Sequence, residues 1–168
     1  MLLLTNGQEI NDPTALLLGY KKRGFGQGKY GGFGGKIKSG ETIVSAALRE
    51  LFEECGLEVA TSDTAYSAQL HFTFPFKPDW DQTVHVFTAR CWSGSLTESE
   101  EMRPQWFKIT DIPYTKMWQD ARYWLPALLA EQSHPGIGLK ILRARFSFAA
   151  DNETIAAWNM ERADSTPH

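Results

Sequence analysis

The sequence predicts an α+β fold built on a mixed sheet. Strand-like runs fall before, between and after two helical segments, without the regular strand–helix alternation of a doubly wound sheet. The chain has 168 residues, enough for one domain with a sizeable core. Its apolar share of 42% and charged share of 22% are those of an ordinary globular protein, so neither disorder nor a fibrous architecture is expected.

In chain order, "MLLL" is read as a shortened first strand and "ALLLGYKKR" (Ala15–Arg23) as a strand. "GFGQGKYGGFGG" (Gly24–Gly35) is a glycine-rich loop. "TIVSAALRELFEEC" (Thr42–Cys55) is a helix stopped by Gly56. "YSAQLHFTF" (Tyr66–Phe74) and "TVHVFTARCW" (Thr83–Trp92) read as strands joined through the turn chemistry of "PFKPDWDQ" (Pro75–Gln82). "QWFKI" (Gln105–Ile109) is a short strand. "ARYWLPALLAEQ" (Ala121–Gln132) is a second helix, in which Pro126 is acceptable only near the first turn. "LKILRARFSF" (Leu139–Phe148) and "TIAAWNM" (Thr154–Met160) are late strands. One domain is expected over 1–160, followed by a disordered tail at 161–168, "ERADSTPH".

Composition removes several functions. The net charge of −3 disfavours binding to long nucleic acid, which needs a basic face. Cys55 and Cys91 do not form a C-x-x-C pair, and the four histidines show no metal-ligand spacing. "MLLLTNGQEI" lacks a basic region and a long apolar run, so no signal peptide is read, and no stretch approaches a membrane span of about 20 apolar residues. The expectation is a monomeric cytoplasmic protein, with nuclear or mitochondrial residence compatible, acting on a small molecule rather than a membrane or polymeric nucleic acid. "GQGKYG" (Gly26–Gly31) has dinucleotide-motif spacing but precedes no helix. "GGK" is followed by Ile37 rather than the Ser or Thr of a P-loop.

The chemistry concentrates in the first helix. On a wheel of about 100° per residue with Glu50 at about 0°, Glu53 falls near about 300° and Glu54 near about 40°. Ala47, Leu48, Leu51, Phe52 and Cys55 fill an apolar arc from roughly 60° to 200°. Carboxylates within one turn repel, and Arg49 is the nearby cation. A divalent cation with a preference for oxygen ligands, such as magnesium, would neutralise them and share its shell with phosphate oxygens. A solvated acidic face would carry the same residues, and the wider pattern decides between the two.

That pattern is G-x5-E-x7-R-E-U-x-E-E-x-G-U, with U bulky and apolar. It is met by Gly35, Glu41, Arg49, Glu50, Leu51, Glu53, Glu54, Gly56 and Leu57 without departure. It resembles the signature box of the Nudix hydrolases. The resemblance implies an α/β/α sandwich with a mixed sheet flanked by helices. It also implies a magnesium cofactor (manganese as a substitute) and hydrolysis of a P–O–P linkage. Glu53 and Glu54 would ligate the metal, and Glu50 would be a ligand or the general base. Gly34 would offer a backbone carbonyl. Arg49 would orient a glutamate or touch phosphate, and Glu41 would support the box.

Beyond the box, "LLLGYKKRGFGQGKYGGFGGKI", "VHVF", "EEMRPQWF" and "MWQDARYWLP" are similar to the oxidised purine nucleoside triphosphatases of that family. This implies cleavage of modified purine nucleoside triphosphates to monophosphate and pyrophosphate. Glu101 would reach the metal, Trp118 would stack on the base, and Asp120 would hydrogen-bond its Watson–Crick edge. Lys21, Phe25, Phe33, Phe72 and Trp124 match pocket or sugar positions. Pattern alone reads Phe33, Phe72 and Trp124 as core, Lys21 as part of a solvated charge run, and Asp120 equally as a helix N-cap. Two positions depart from the subfamily: Gly31 stands where it has asparagine, and Ala121 where it has a second acid. Both bear on base preference. The rival readings are another Nudix activity, on ADP-ribose, a diadenosine polyphosphate or an RNA cap, and a non-catalytic nucleotide-binding module of the same fold. The module is disfavoured because every box glutamate is present.

Overall fold

The computed structural model describes residues 1–6, 14–132 and 140–164. The chain divides into two compact units, residues 1–65 with 87–118 and residues 66–86 with 119–168.

The first unit contains β1 (Leu2–Asn6), β2 (Ala15–Lys21), β3 (Tyr30–Gly31), α1 (Ile43–Cys55), β4 (Leu57–Glu58), β7 (Ser93–Gly94) and β8 (Met102–Lys108). Strand β2 pairs antiparallel with β1 (Leu4 opposite Leu17), with β3 (Gly19 opposite Gly31) and with β8 (Leu18 opposite Gln105). The end of β6 (Gln82–Ala89) runs parallel to β1, with Leu2 opposite Phe87, so the sheet is mixed. Leu2–Leu4 and Leu16–Leu18 are buried at consecutive positions, the mark of strands covered on both faces. Short β4 and β7 form their own ladder. The glycine-rich loop is not loop throughout: β3 interrupts it and pairs with β2.

Helix α1 begins where its capping chemistry sets it. Thr42 Oγ1 accepts from Ser45 N–H, while Ser45 Oγ accepts from Thr42 N–H. Gly56, at φ 74°, closes it in the left-handed conformation and donates its N–H to the Phe52 carbonyl. The buried arc differs from the wheel. Glu54 is 4% exposed, whereas Phe52 is 53% exposed. The helix is rotated so that a carboxylate takes the place expected for an aromatic ring, because Glu54 finds partners inside.

The second unit contains β5 (Thr64–Thr73, from Tyr66), β6 up to Val86, α2 (Ala121–Gln132), β9 (Lys140–Phe148) and β10 (Ile155–Asp164). Here β5 runs parallel to β9 and β10 antiparallel to it, again a mixed sheet with one helix. Phe72, Phe74, Phe146 and Phe148 stack in its core, with Phe74 and Phe148 parallel at 4.3 Å. Strand β10 continues through Asp164, opposite Lys140, so 161–164 are strand and not the expected tail. Residues 165–168 lie outside the described residues. Helix α2 also continues past Pro126, beyond its first turn. Pro126 and Arg122 are both exposed residues, so the helical bond that Pro126 removes lies on the solvent side of α2. No helix among the described residues is long and apolar enough to cross a membrane.

Candidate active site

Two charge clusters meet on α1 in the first unit. In the first, Glu54 Oε1 accepts from Lys21 Nζ at 3.1 Å and its Oε2 accepts from Gly34 N–H at 2.9 Å. Burial raises the Glu54 pKa, with Lys21 and the Gly34 amide opposing. Lys21 also donates to Glu101 Oε2 at 3.3 Å, so one ammonium bridges two carboxylates. Burial works to lower the Lys21 pKa, but Glu54 and Glu101 outweigh it and the net shift is upward. Glu101, half-exposed, also accepts from Arg23 at 3.2 Å; the Lys21 hydrogen bond is the main cause of its lowered pKa.

The second cluster centres on Arg49. Its Nε and Nη2 hold Glu41 as a fork at 2.5 and 3.0 Å. Its Nη1 donates to Glu50 Oε1 at 2.6 Å and Glu53 Oε2 at 3.0 Å, and Nη2 also donates to the Lys36 carbonyl at 3.2 Å. A guanidinium has five N–H donors, and all five are used. Of the two roles expected for Arg49, the geometry therefore equips it to orient carboxylates, with no donor spare for phosphate. The Arg49 hydrogen bonds hold the Glu41 carboxyl down at about 2. A Cβ at Gly35 would lie 2.5 Å from the Glu50 carboxyl carbon, so a side chain there would displace that carboxylate.

Among the described residues no three Asp, Glu, His or Cys side chains converge as ready-made metal ligands. The expected set Glu50, Glu53, Glu54 and Glu101 is instead interleaved with protein cations, since like charges within a helical turn repel. Lys38 adds a further one, 3.6 Å from Glu53. The Gly34 amide adds a hydrogen bond to Glu54, which ties the loop before the helix to the carboxylate cluster. The donor chemistry nonetheless suits a hard divalent cation: every candidate atom is oxygen, and a single ammonium already sits between two of the carboxylates. The role of Lys21 as counter-charge was missed in the sequence, where it sits in a run of three basic residues that reads as a solvated surface.

The base-pocket candidates are divided between the units. In the first, Phe25 and Trp118 stack at 5.2 Å with 20° between their planes, and Lys29 lies 4.9 Å from the Trp118 ring. Phe33 is fully buried, while a Cβ added at Gly31 would meet nothing within 4 Å. In the second, Phe72 is 8% and Trp124 5% exposed, as core residues would be. Asp120 starts α2 through its backbone, its carbonyl accepting from Tyr123 N–H. Its side chain does not cap. The carboxylate accepts from Trp124 Nε1 at 2.8 Å, and burial pushes its pKa up to about 6.

The model of the NUDIX domain matches residues 2–128. Over 157 residues the chain is 44% identical to the oxidized purine nucleoside triphosphate hydrolase of Mus musculus, covering 93% of this chain and 92% of that protein. It is 47% identical over 128 residues to the protein of the same name from Danio rerio, covering 76% and 80%. Among solved structures, the mMutator MutT protein of Bacillus halodurans matches with a TM-score of 0.72 at 19% identity, over 95% of this chain and 97% of that one, a likeness of fold. With the family's domain spanning most of its length and the carboxylate helix intact, the chain belongs to the Nudix hydrolases.

Proposed function

We propose that the chain hydrolyses oxidised or otherwise modified purine nucleoside triphosphates to the monophosphate and pyrophosphate, clearing them from the nucleotide pool. The observation that carries this reading is the pairing of an unbroken carboxylate helix with 44% identity, over 93% of the chain, to a relative named for that activity. Nudix hydrolases depend on a divalent metal; here it is magnesium, with manganese able to replace it. Glu53, Glu54 and Glu101 would hold it, with Glu50 and the Gly34 carbonyl as further donors. When bound, it screens the phosphate oxygens and lowers the pKa of water.

The chain's own residues supply the rest. Arg49 ties Glu50 Oε1 at 2.6 Å, which leaves Oε2 either to donate to the metal or, as general base, to accept the proton of the attacking water. Gly35 keeps the backbone clear of that carboxylate. Lys21, released from one carboxylate, would pair with phosphate or sugar oxygens. Trp118, backed by Phe25, offers the purine a stacking surface. Asp120 would read the base edge, and Trp124 holds the Asp120 carboxylate through its indole N–H; Phe33 and Phe72 are further candidates for contact with base or sugar. The open space at Gly31 favours a purine carrying a substituent or bound in a shifted orientation. In this reading the enzyme is a cytoplasmic monomer acting on small nucleotides.

The test is a set of kcat/KM values with magnesium for dGTP, 8-oxo-dGTP, 2-oxo-dATP, O6-methyl-dGTP, N6-methyl-dATP, ADP-ribose and diadenosine tetraphosphate. A modified purine triphosphate should lead by about tenfold, some 1.4 kcal/mol of discrimination. A lead by ADP-ribose or the dinucleotide would leave the Nudix chemistry standing and refute the purine reading.

A further inference from the structure

The second unit holds polar groups that the proposed reaction does not use. Strand β9 buries Leu142, Ala144, Phe146 and Phe148 on one face, so alternation puts Arg143, Arg145 and Ser147 on the other. On β5, Gln69 is opposite Arg143 and His71 opposite Arg145; on β10 their partners are Glu161 and Asn159. The two arginines thus project side by side, roughly 7 Å apart along the strand.

Arg143 is half-buried, and its Nε is sealed from water without a hydrogen-bond partner. Among the described residues neither Arg143 nor Arg145 forms an ion pair or a side-chain hydrogen bond, although Glu161 lies directly across from Arg143. Near Arg143, the Tyr66 hydroxyl is 2.8 Å from His85 Nδ1, and the Arg143 charge opposes the rise that burial imposes on the Tyr66 pKa. Native proteins leave few buried donors unpaired, so a buried guanidinium nitrogen without a partner singles out this position. A guanidinium presents its donors as a fork matched to phosphate oxygens, and two on one face can clasp a single oxyanion.

We propose that Arg143 and Arg145, flanked by Gln69 and His71, form a binding site for a phosphoryl oxyanion, either free phosphate or pyrophosphate or the phosphate group of a nucleotide. The residues all belong to the second unit, and none belongs to the carboxylate cluster, so the site stands or falls independently of the proposed reaction.

Arginine Nε–H groups give their own signals in a nitrogen–proton correlation spectrum, and that of Arg143 is assigned by its loss in R143K. The wild-type protein is titrated with sodium phosphate, with pyrophosphate and with a nucleoside monophosphate, at ionic strength held constant with chloride. The Arg143 signal should shift saturably in at least one series, and the series that saturates first identifies the source. R143K keeps the charge but lacks the Nε–H, and R145Q alters an exposed position. Each should lower the apparent phosphate affinity, read from phosphate-dependent stabilisation, by about fivefold or more. An Arg143 signal that moves no more than in chloride, with both variants stabilised by phosphate as strongly as the wild type, overturns the site; phosphate binding elsewhere would give that result.

Discussion

Glu54 is a carboxylate held almost out of water, kept there by one ammonium and one backbone amide. Its substitution by glutamine preserves volume but removes the charge that Lys21 and a bound cation both need. E54Q is expected to lower kcat by about two orders of magnitude or more, with its folded circular-dichroism spectrum retained. Magnesium-dependent turnover at the wild-type rate would refute the assignment. Asp120 is the other informative residue. Its pKa, pushed up to about 6 from 3.8 by burial, sits above the unfolded value. Below about pH 4 the group is protonated in both states. As pH rises through about 4 to 6 the unfolded chain ionises first, so stability is lost across that window. D120N lacks this term. Its melting temperature relative to wild type should climb between about pH 4 and pH 6 and then level, reflecting on the order of 2–3 kcal/mol. A difference flat with pH would show that Asp120 is not desolvated as described.

At the scale of elements, α1 and the loop before it act as one device. The loop passes close enough to α1 for Gly35 to leave room for Glu50, while Arg49 ties Glu41 to Glu50 and Glu53. G35A would drive a methyl group into the Glu50 carboxylate. Displacement by about an ångström is expected to cost about 100-fold in kcat/KM, with little change in melting temperature. R49K keeps the positive charge but loses the planar fork, so one ammonium cannot replace five directed bonds. It should lower kcat far more than KM; a variant with wild-type kcat would show that the orientation of Glu50 and Glu53 is dispensable. This element was largely legible in the sequence, because caps, glycines and carboxylates act at fixed local spacings. Its rotation was not. Phe52 and Glu54 exchange their expected environments because Lys21 and Gly34, distant along the chain, supply what Glu54 needs.

For the whole molecule, the oxygen-donor cluster makes a dependence on divalent metal its leading prediction. Chelation should abolish turnover, and added magnesium should restore it in the wild type but not in E54Q. Activity unaffected by exhaustive chelation would overturn the metal assignment. The carboxylates and cations around α1 lie in the first unit, while Phe72, Asp120 and Trp124 belong to the second.

The sequence by itself determined the family, the mixed α+β class, the carboxylate helix with its Gly56 stop, and most strand positions, because these depend on period, turn chemistry and spacing over short stretches of chain. Tertiary structure alone decided which cation faces which carboxylate, that Arg49 spends all its donors inside the box, that Asp120 turns its carboxylate to Trp124, and that β10 runs on to Asp164. The Lys21–Glu54 contact and the end of β10 rest on partners distant along the chain, whereas the Arg49 and Asp120 bonds join near neighbours whose side-chain orientations the packing around them selects.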